Sequence, residues 1–257
     1  MTSLKSALDA LQPIEGGWRG TIPDSWLQGR TAYGGLSAAL ALHAAQHSDE
    51  DLPPLRSAQV AFIGPLSGDV VIRAKRLRRG RNAAWVQADV ESEAGLGLRA
   101  TFVFMGAVAS RVDHAVGAAP DFSPPTPETQ IYNGFPGVSF TRNFELLDRR
   151  DGLGPTEWLR WVRLSERDGL DPMIELIAIA DCLPPAALKL VGGPAPVSSM
   201  TWQLNLLGPQ PVTTDGWWLL RATTDYAKDG SSSQPMAIWN TDGTPIADQI
   251  QSVAIFA

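Results

Sequence analysis

Apolar positions fall into the same succession twice along the chain. Residues 35–47, Gly-Leu-Ser-Ala-Ala-Leu-Ala-Leu-His-Ala-Ala-Gln-His, predict a helix apolar around most of its circumference, which belongs inside a core. Four short runs follow, 60–63, 70–77, 84–91 and 98–104, rich in β-branched and aromatic residues. The second half repeats this with a helix over 172–183 and strands over 200–207, 217–226, 232–239 and 246–256. Gly64-Pro65 closes the first strand of one copy and Gly208-Pro209 that of the other. Turns at Gly68, Gly80, Gly95, Gly216, Gly230 and Gly243 leave the strands so close that they pair antiparallel, because parallel crossovers need a dozen residues or more. Two copies of roughly 130–150 residues are far longer than a solenoid repeat and imply a duplicated domain.

Residues 4–11 predict a short lead-in helix, and 16–20 with Trp26 a strand pair. Thr31-Ala-Tyr-Gly-Gly35 forms a turn into the first helix. In the second half 138–147 and 157–164 precede the helix as strands, and Pro184-Pro185 stops it. Residues 107–137 carry Pro120, Pro124, Pro125, Pro127 and Pro136 among Ser, Thr, Asp and Gly, and predict a linker without regular structure. The expected division is therefore 1–106, a linker over 107–137, and 138–257.

Composition narrows the function classes. A net charge of −6 and a pI near 5.1 argue against general nucleic-acid binding. The basic residues cluster once, at Arg73, Lys75, Arg76, Arg78, Arg79 and Arg81, either as a solvated strand edge or as a phosphate-binding rim. One cysteine, Cys182, excludes an intrachain disulfide and fits a reducing compartment. The N-terminus has no apolar signal core, and the apolar helices are too short to span a bilayer. These features predict a soluble, cytoplasmic protein without membrane or nucleic-acid partners.

Chemistry is limited by what is scarce. Three histidines, His43, His47 and His114, supply no triad pattern, and Gly35-Leu-Ser-Ala-Ala39 lacks the second glycine of a nucleophile elbow. Zinc has no ligand set, and no glycine-rich nucleotide loop is present, so no metal or cofactor is expected. His43 reads as a core residue and His47 as solvated near the helix end. What remains is direct attack by water, which needs a carboxylate base, polar groups to place the water and donors for the oxyanion.

One apolar helix wrapped by a curved antiparallel sheet, made twice, resembles the hotdog fold. Gly29-Arg-Thr-Ala-Tyr-Gly-Gly-Leu36, Phe62 with Gly64-Pro65, Arg78-Arg-Gly-Arg81, Ala180-Asp-Cys-Leu-Pro-Pro185 and Asp242-Gly243 with Gln251 carry a narrower likeness over nearly the whole chain. In that order they resemble the acyl-CoA thioesterase II family. The resemblance implies an α+β double hotdog with two antiparallel sheets, each wrapped around a central helix and together forming one extended antiparallel surface, and acyl-CoA hydrolysis without a covalent intermediate, in fatty acid metabolism. A homo-oligomer through sheet or hotdog-unit faces is compatible with it.

In the resembled family the base is an aspartate early on the strand after the second helix, joined by a hydroxyl on the next strand and a glutamine on the last. Carried over, the glutamine falls on Gln251, the hydroxyl on Thr224 or its neighbour Asp225, and the aspartate on or beside Thr201, which is not acidic. Gln251 shares a strand face with Val253 and Ile255, and Thr224 with Leu220 and Ala222, so both point inward. Asp225 shares its face with Arg221, yet a bend at the strand end would turn it inward, and it is the preferred base. Asp181, late in an apolar helix where the macrodipole disfavours an acid, is the second candidate. Gln251, Thr224 or Asp225, and Asp181 are expected to converge at a pocket. Tyr33, Gly34 and Gly35 offer free N–H groups to an oxyanion, or simply pack helix against sheet. Thr201, Arg76, Arg78, Arg79 and Arg81 complete the expected acyl-CoA contacts. The competing readings are a non-catalytic acyl-thioester or lipid-binding protein, which Thr201 favours, and a hotdog hydratase, which the absence of histidine from the second half disfavours.

Overall fold

The computed structural model describes every residue except Pro194 and Pro209, so the Gly208-Pro209 turn lies partly outside the described residues. After α1 (Leu4–Asp9), the first unit runs β1 (Gln12–Ile14), β2 (Gly17–Thr21), a small hairpin β3 (Leu27–Gln28) and β4 (Thr31–Ala32), then α2 (Gly34–Gln46). It continues with β5 (Leu55–Phe62), β6 (Asp69–Arg79), β7 (Ala83–Ser92) and β8 (Gly95–Met105). The second unit has β9 (Phe144–Asp148), β10 (Glu157–Leu164), α3 (Pro172–Ala180) and a short α4 (Leu188–Val191). It closes with β11 (Val197–Leu206), β12 (Trp218–Thr223), β13 (Tyr226–Lys228), β14 (Ser231–Trp239) and β15 (Pro245–Ile255).

As expected, the sheets of the two units join into one extended antiparallel surface. Twelve strands follow the path β1-β2-β6-β7-β8-β5-β11-β15-β14-β12-β10-β9, and β13 pairs with β14. The units meet at β5 and β11, which pair antiparallel with Gln59 opposite Gln203. Outward from this seam each unit presents the first strand after its helix, then its last strand, then back to the strand before its helix. The order is that of a pseudo-twofold about the Gln59–Gln203 pair, which satisfies a sheet edge that each unit alone would leave unpaired.

The helices lie against each other inside the curve, in one continuous core with residues from both units. Small residues make this approach feasible: a side chain on Gly35 would run into the Ala178 carbonyl of α3 and the Tyr33 ring. Tyr33 itself donates from its hydroxyl to the Ala178 carbonyl oxygen at 2.7 Å and stacks on Phe140 with ring centroids 4.2 Å apart.

Several elements differ from the sequence expectation. The strand expected from residue 138 begins only at Phe144, because Ser139–Asn143 form a 3-10 turn that buries Phe140, Thr141 and Asn143. Trp26 lies in another 3-10 turn, Asp24–Trp26, and β2 takes β1 as its partner. The linker has no long element, but it is packed rather than free. It straps the outer face of the second unit, where Phe122, Ala119 and Ile131 cover Leu159, Trp161, Trp217, Leu219 and Trp239. Trp161 and Trp239 donate their indole N–H groups to the Phe122 and Gly117 carbonyls at 3.1 and 2.7 Å.

Candidate active site

A cavity of about 880 Å³ opens where α2 begins and α3 ends. Its walls come from both units: Gly34 and Ser37 of α2, Phe62–Leu66 after β5, residues 181–185 after α3, and Ser198, Ser199 and Gln251 from the central strands. Phe135, Val138, Phe140 and Thr141 of the 3-10 segment and the linker's end close another side. Its size falls within the range of about 300–1,000 Å³ usual for ligand pockets.

Asp181 and Gln251 meet in this cavity. Asp181 caps the C-terminal end of α3, and Gln251, 3% exposed, projects from β15 on the face shared with Trp202. The Gln251 side-chain Nε2 donates to Asp181 Oδ1 at 2.5 Å. The other carboxylate oxygen, Oδ2, lies against Gly34: a Cβ there would stand 2.5 Å from it and 2.9 Å from Phe62. Burial raises the Asp181 pKa to about 7, while the Gln251 amide and the Gly35 backbone N–H hold it down. A carboxyl group titrating near neutrality is matched to general acid–base work.

α2 leaves its own first turn unfilled. Its N-cap is Tyr33, whose side chain makes no capping bond, and the first intrahelical bond is Ser37 N–H to the Tyr33 carbonyl at 3.1 Å. The N–H groups of the Gly34–Leu36 turn therefore remain for groups from outside the helix, at the positive end of its dipole. Asp181 occupies part of that position.

The other expected site residues are not gathered here. β12 ends at Thr223, where Thr224 N–H donates to Thr156 O at 3.1 Å and the Thr156 hydroxyl to Thr224 O at 3.2 Å. These bonds add a last rung to the β10–β12 pairing; the chain then bends at Asp225, whose N–H donates to Ser233 O at 3.4 Å and whose side chain is exposed, and Arg221 pairs with Glu157 at 2.6 Å instead. The bend that would have turned Asp225 inward takes it outward. The Thr224 hydroxyl is buried without a partner and does not line the cavity. Thr201 is exposed on the opposite face, in a groove with Gln59, Gln203 and Ser252, because a bulge at Met200 sets the register. The inward residue of that stretch is Ser199.

The arginine cluster is at the far end of the helix pair. Arg76 and Arg79 pair with Asp49 at 3.0 and 3.5 Å, just past the C-terminal end of α2. A helix of this length puts that end about 20 Å from Gly34. Arg78 lies over Trp85, and Arg81 is exposed in the β6–β7 turn. All four stand away from the cavity lining.

The sequence reading missed a second polar group in the cavity, Arg160 of β10 with Asp148 of β9, which Tyr132 supports from outside the lining. Arg160 Nε donates to Asp148 Oδ1 at 2.5 Å, the Tyr132 hydroxyl donates to Asp148 Oδ2, and the guanidinium lies over Phe135 and Trp158. Arg160 shares its strand parity with Trp158, Val162 and Leu164, which pack toward the helices. Cys182 also lines the cavity; burial pushes its thiol up to about 12, so it is not a thiolate.

Residues 22–105 match the family of the acyl-CoA thioesterase N-terminal domain, and residues 115–255 match that of the acyl-CoA thioesterase C-terminal domain. No curated protein sequence matches the chain. Among solved structures, a conserved hot dog fold protein of unknown function from Alicyclobacillus acidocaldarius superposes with a TM-score of 0.86 at 21% identity, covering 99% of this chain and 98% of its own. A putative thioesterase II from Thermobifida fusca gives 0.82 at 20% identity, over 100% and 98% of the two chains. The tesB protein of Mycobacterium avium subspecies paratuberculosis gives 0.80 at 18%, over 99% and 98%. These structural likenesses establish the double hotdog fold. No helix among the described residues is long and apolar enough to cross a membrane.

Proposed function

The chain belongs to the acyl-CoA thioesterase family, and on that premise we propose that it hydrolyses acyl-CoA thioesters with Asp181 as general base. The observation that carries this reading is the 2.5 Å contact of Gln251 with Asp181 beside the unfilled start of α2.

The thioester carbonyl lies toward Gly34, where the absent Cβ leaves room for close approach. Gln251 and the ionised Asp181 hold a water, and Asp181 takes its proton as the water oxygen attacks the carbonyl carbon. Backbone N–H groups of the first turn of α2 stabilise the oxyanion of the tetrahedral intermediate. Its collapse breaks the carbon–sulfur bond, and Asp181 returns the proton to the CoA thiolate. One water is consumed, and the free acid and CoA thiol are released.

Asp181 supplies here the carboxylate that the non-acidic Thr201 cannot. Steady-state thiol release from short, medium, long and aromatic acyl-CoAs tests the reading, and Asp181→Asn should lose turnover while still binding substrate. Undetectable wild-type turnover with retained acyl-CoA binding would overturn it in favour of an acyl-thioester-binding protein, the reading that Thr201 supports.

A further inference from the structure

The cavity holds a cation that hydrolysis does not use. Arg160 is 1% exposed, yet it lines the cavity with Trp158 and Phe135. On β10 the residues of the same face, Trp158, Val162 and Leu164, are apolar, so Arg160 is the one charged side chain that this strand turns toward the helices. An inward arginine is costly in such a setting, and replacing a buried ion pair by apolar groups is often neutral or stabilising. Its presence calls for a role that an apolar residue would not fill.

The donors show what that role is. A guanidinium has five N–H groups in a planar fork. Asp148 takes only the one on Nε; among the described residues Nη1 and Nη2 make no hydrogen bond. The rings of Phe135 and Trp158, 5.2 and 5.7 Å from the guanidinium carbon, hold the fork in place and keep water from its faces. Asp148 accepts one bond on each oxygen, from Arg160 on Oδ1 and from the Tyr132 hydroxyl on Oδ2. The charged groups of the cavity lining are then Asp181, at the proposed reacting end, and the Asp148–Arg160 pair, whose free donors belong to the cation. Gln28, Ile63, Gly64 and Ser198 of the lining are exposed, whereas Arg160 is buried in the cavity wall.

We propose that the acyl group taken by this cavity ends in a carboxylate, which Arg160 holds through its two free nitrogens in a fork-to-fork pair. This rests on the acyl-CoA reading above and names its substrate class as dicarboxylic acyl-CoAs. A carboxylate matches the guanidinium in plane, charge and bidentate spacing, which a methyl-ended chain cannot do.

The test compares hydrolysis-inert thioether analogues of methyl-ended and carboxyl-ended acyl-CoAs, in matched pairs of increasing length. Affinity for each is measured by calorimetry on the full chain. The CoA portion is common to each pair, so any preference belongs to the acyl terminus. At the best length the carboxyl-ended analogue should bind at least about tenfold more tightly, equivalent to about 1.4 kcal/mol. That preference should vanish in the charge-balanced double variant Arg160→Met with Asp148→Asn. Equal binding, or preference for the methyl-ended chain at every length, overturns the proposal on wild-type protein alone and leaves the acyl-CoA reading standing. Preference retained in a folded double variant overturns the role of Arg160. Failure of both analogues to bind at any length overturns the acyl-CoA reading and the proposal with it.

Discussion

The two central helices begin in opposite ways. α3 starts on Asp171, whose carboxylate accepts from the N–H groups of Met173 and Ile174 at 2.9 and 3.0 Å, so its first turn is satisfied from within. α2 starts on Tyr33-Gly34-Gly35 with no capping side chain, and the carboxylate beside it comes from the far end of the other helix. The strands differ in the same sense. Gln251 pairs with Trp202 on β11, and the pseudo-twofold about Gln59–Gln203 carries this pair onto Phe102 and Ala58. Phe102 is 0% exposed in the core, so one unit fills with a ring the position where the other presents an amide. Duplication provided two equivalent poles; one was closed by packing and capping, and the other kept its polar groups unspent.

If that contrast is right, substitutions at equivalent positions affect different quantities. The largest effect falls on the closed pole: Phe102→Ala should cost about 3–5 kcal/mol of stability, read by urea unfolding, with little change in turnover per folded molecule. At the open pole Gln251→Ala should lower kcat/KM at least tenfold, about 1.4 kcal/mol of barrier, without a matching fall in melting temperature. The contrast breaks if these two variants behave alike. Asp171→Ala removes a cap and should cost about 1 kcal/mol of stability while leaving the rate intact.

The smallest effect is one of sign with pH. Burial raises Asp181 to about 7, so between its unfolded value near 4 and about pH 7 the folded state binds the extra proton. Stability from this group therefore falls as pH rises through that window, and Asp181→Asn should remove the fall. At the other pole burial and His47 lower His43 to about 4, so the unfolded chain binds the extra proton between about 6.5 and 4. Stability from His43 falls as pH drops through that range, and His43→Gln should flatten that limb. Urea midpoints against pH for both variants measure the two slopes.

Much of this was legible in the sequence. The two apolar helices, the strands after each and the Gly34-Gly35 turn follow from periodicity and glycine placement, and Gln251 was found on its inward strand face. The polar partners were harder, because they depend on where chains stop pairing. Asp225 belongs to a strand by composition, but the chain bends there just past the last rung, Thr224 to Thr156, and leaves its carboxylate exposed. Arg160 was hidden for another reason. The linker covers Leu159 and Trp161 on the outer face of β10, so both faces of that strand are apolar and alternation no longer tells inside from outside. Arg76 and Arg79 look like a phosphate rim until Asp49, distant in sequence, is seen to pair with them.

The most direct test of the open pole is the pH dependence of kcat/KM for Asp181→Asn beside wild type and Asp225→Asn. The account predicts a wild-type rate that rises through about pH 7, the same limb in Asp225→Asn, and a loss of at least about a hundredfold with no such limb in Asp181→Asn. Full activity in Asp181→Asn, or loss of the limb only in Asp225→Asn, would contradict it.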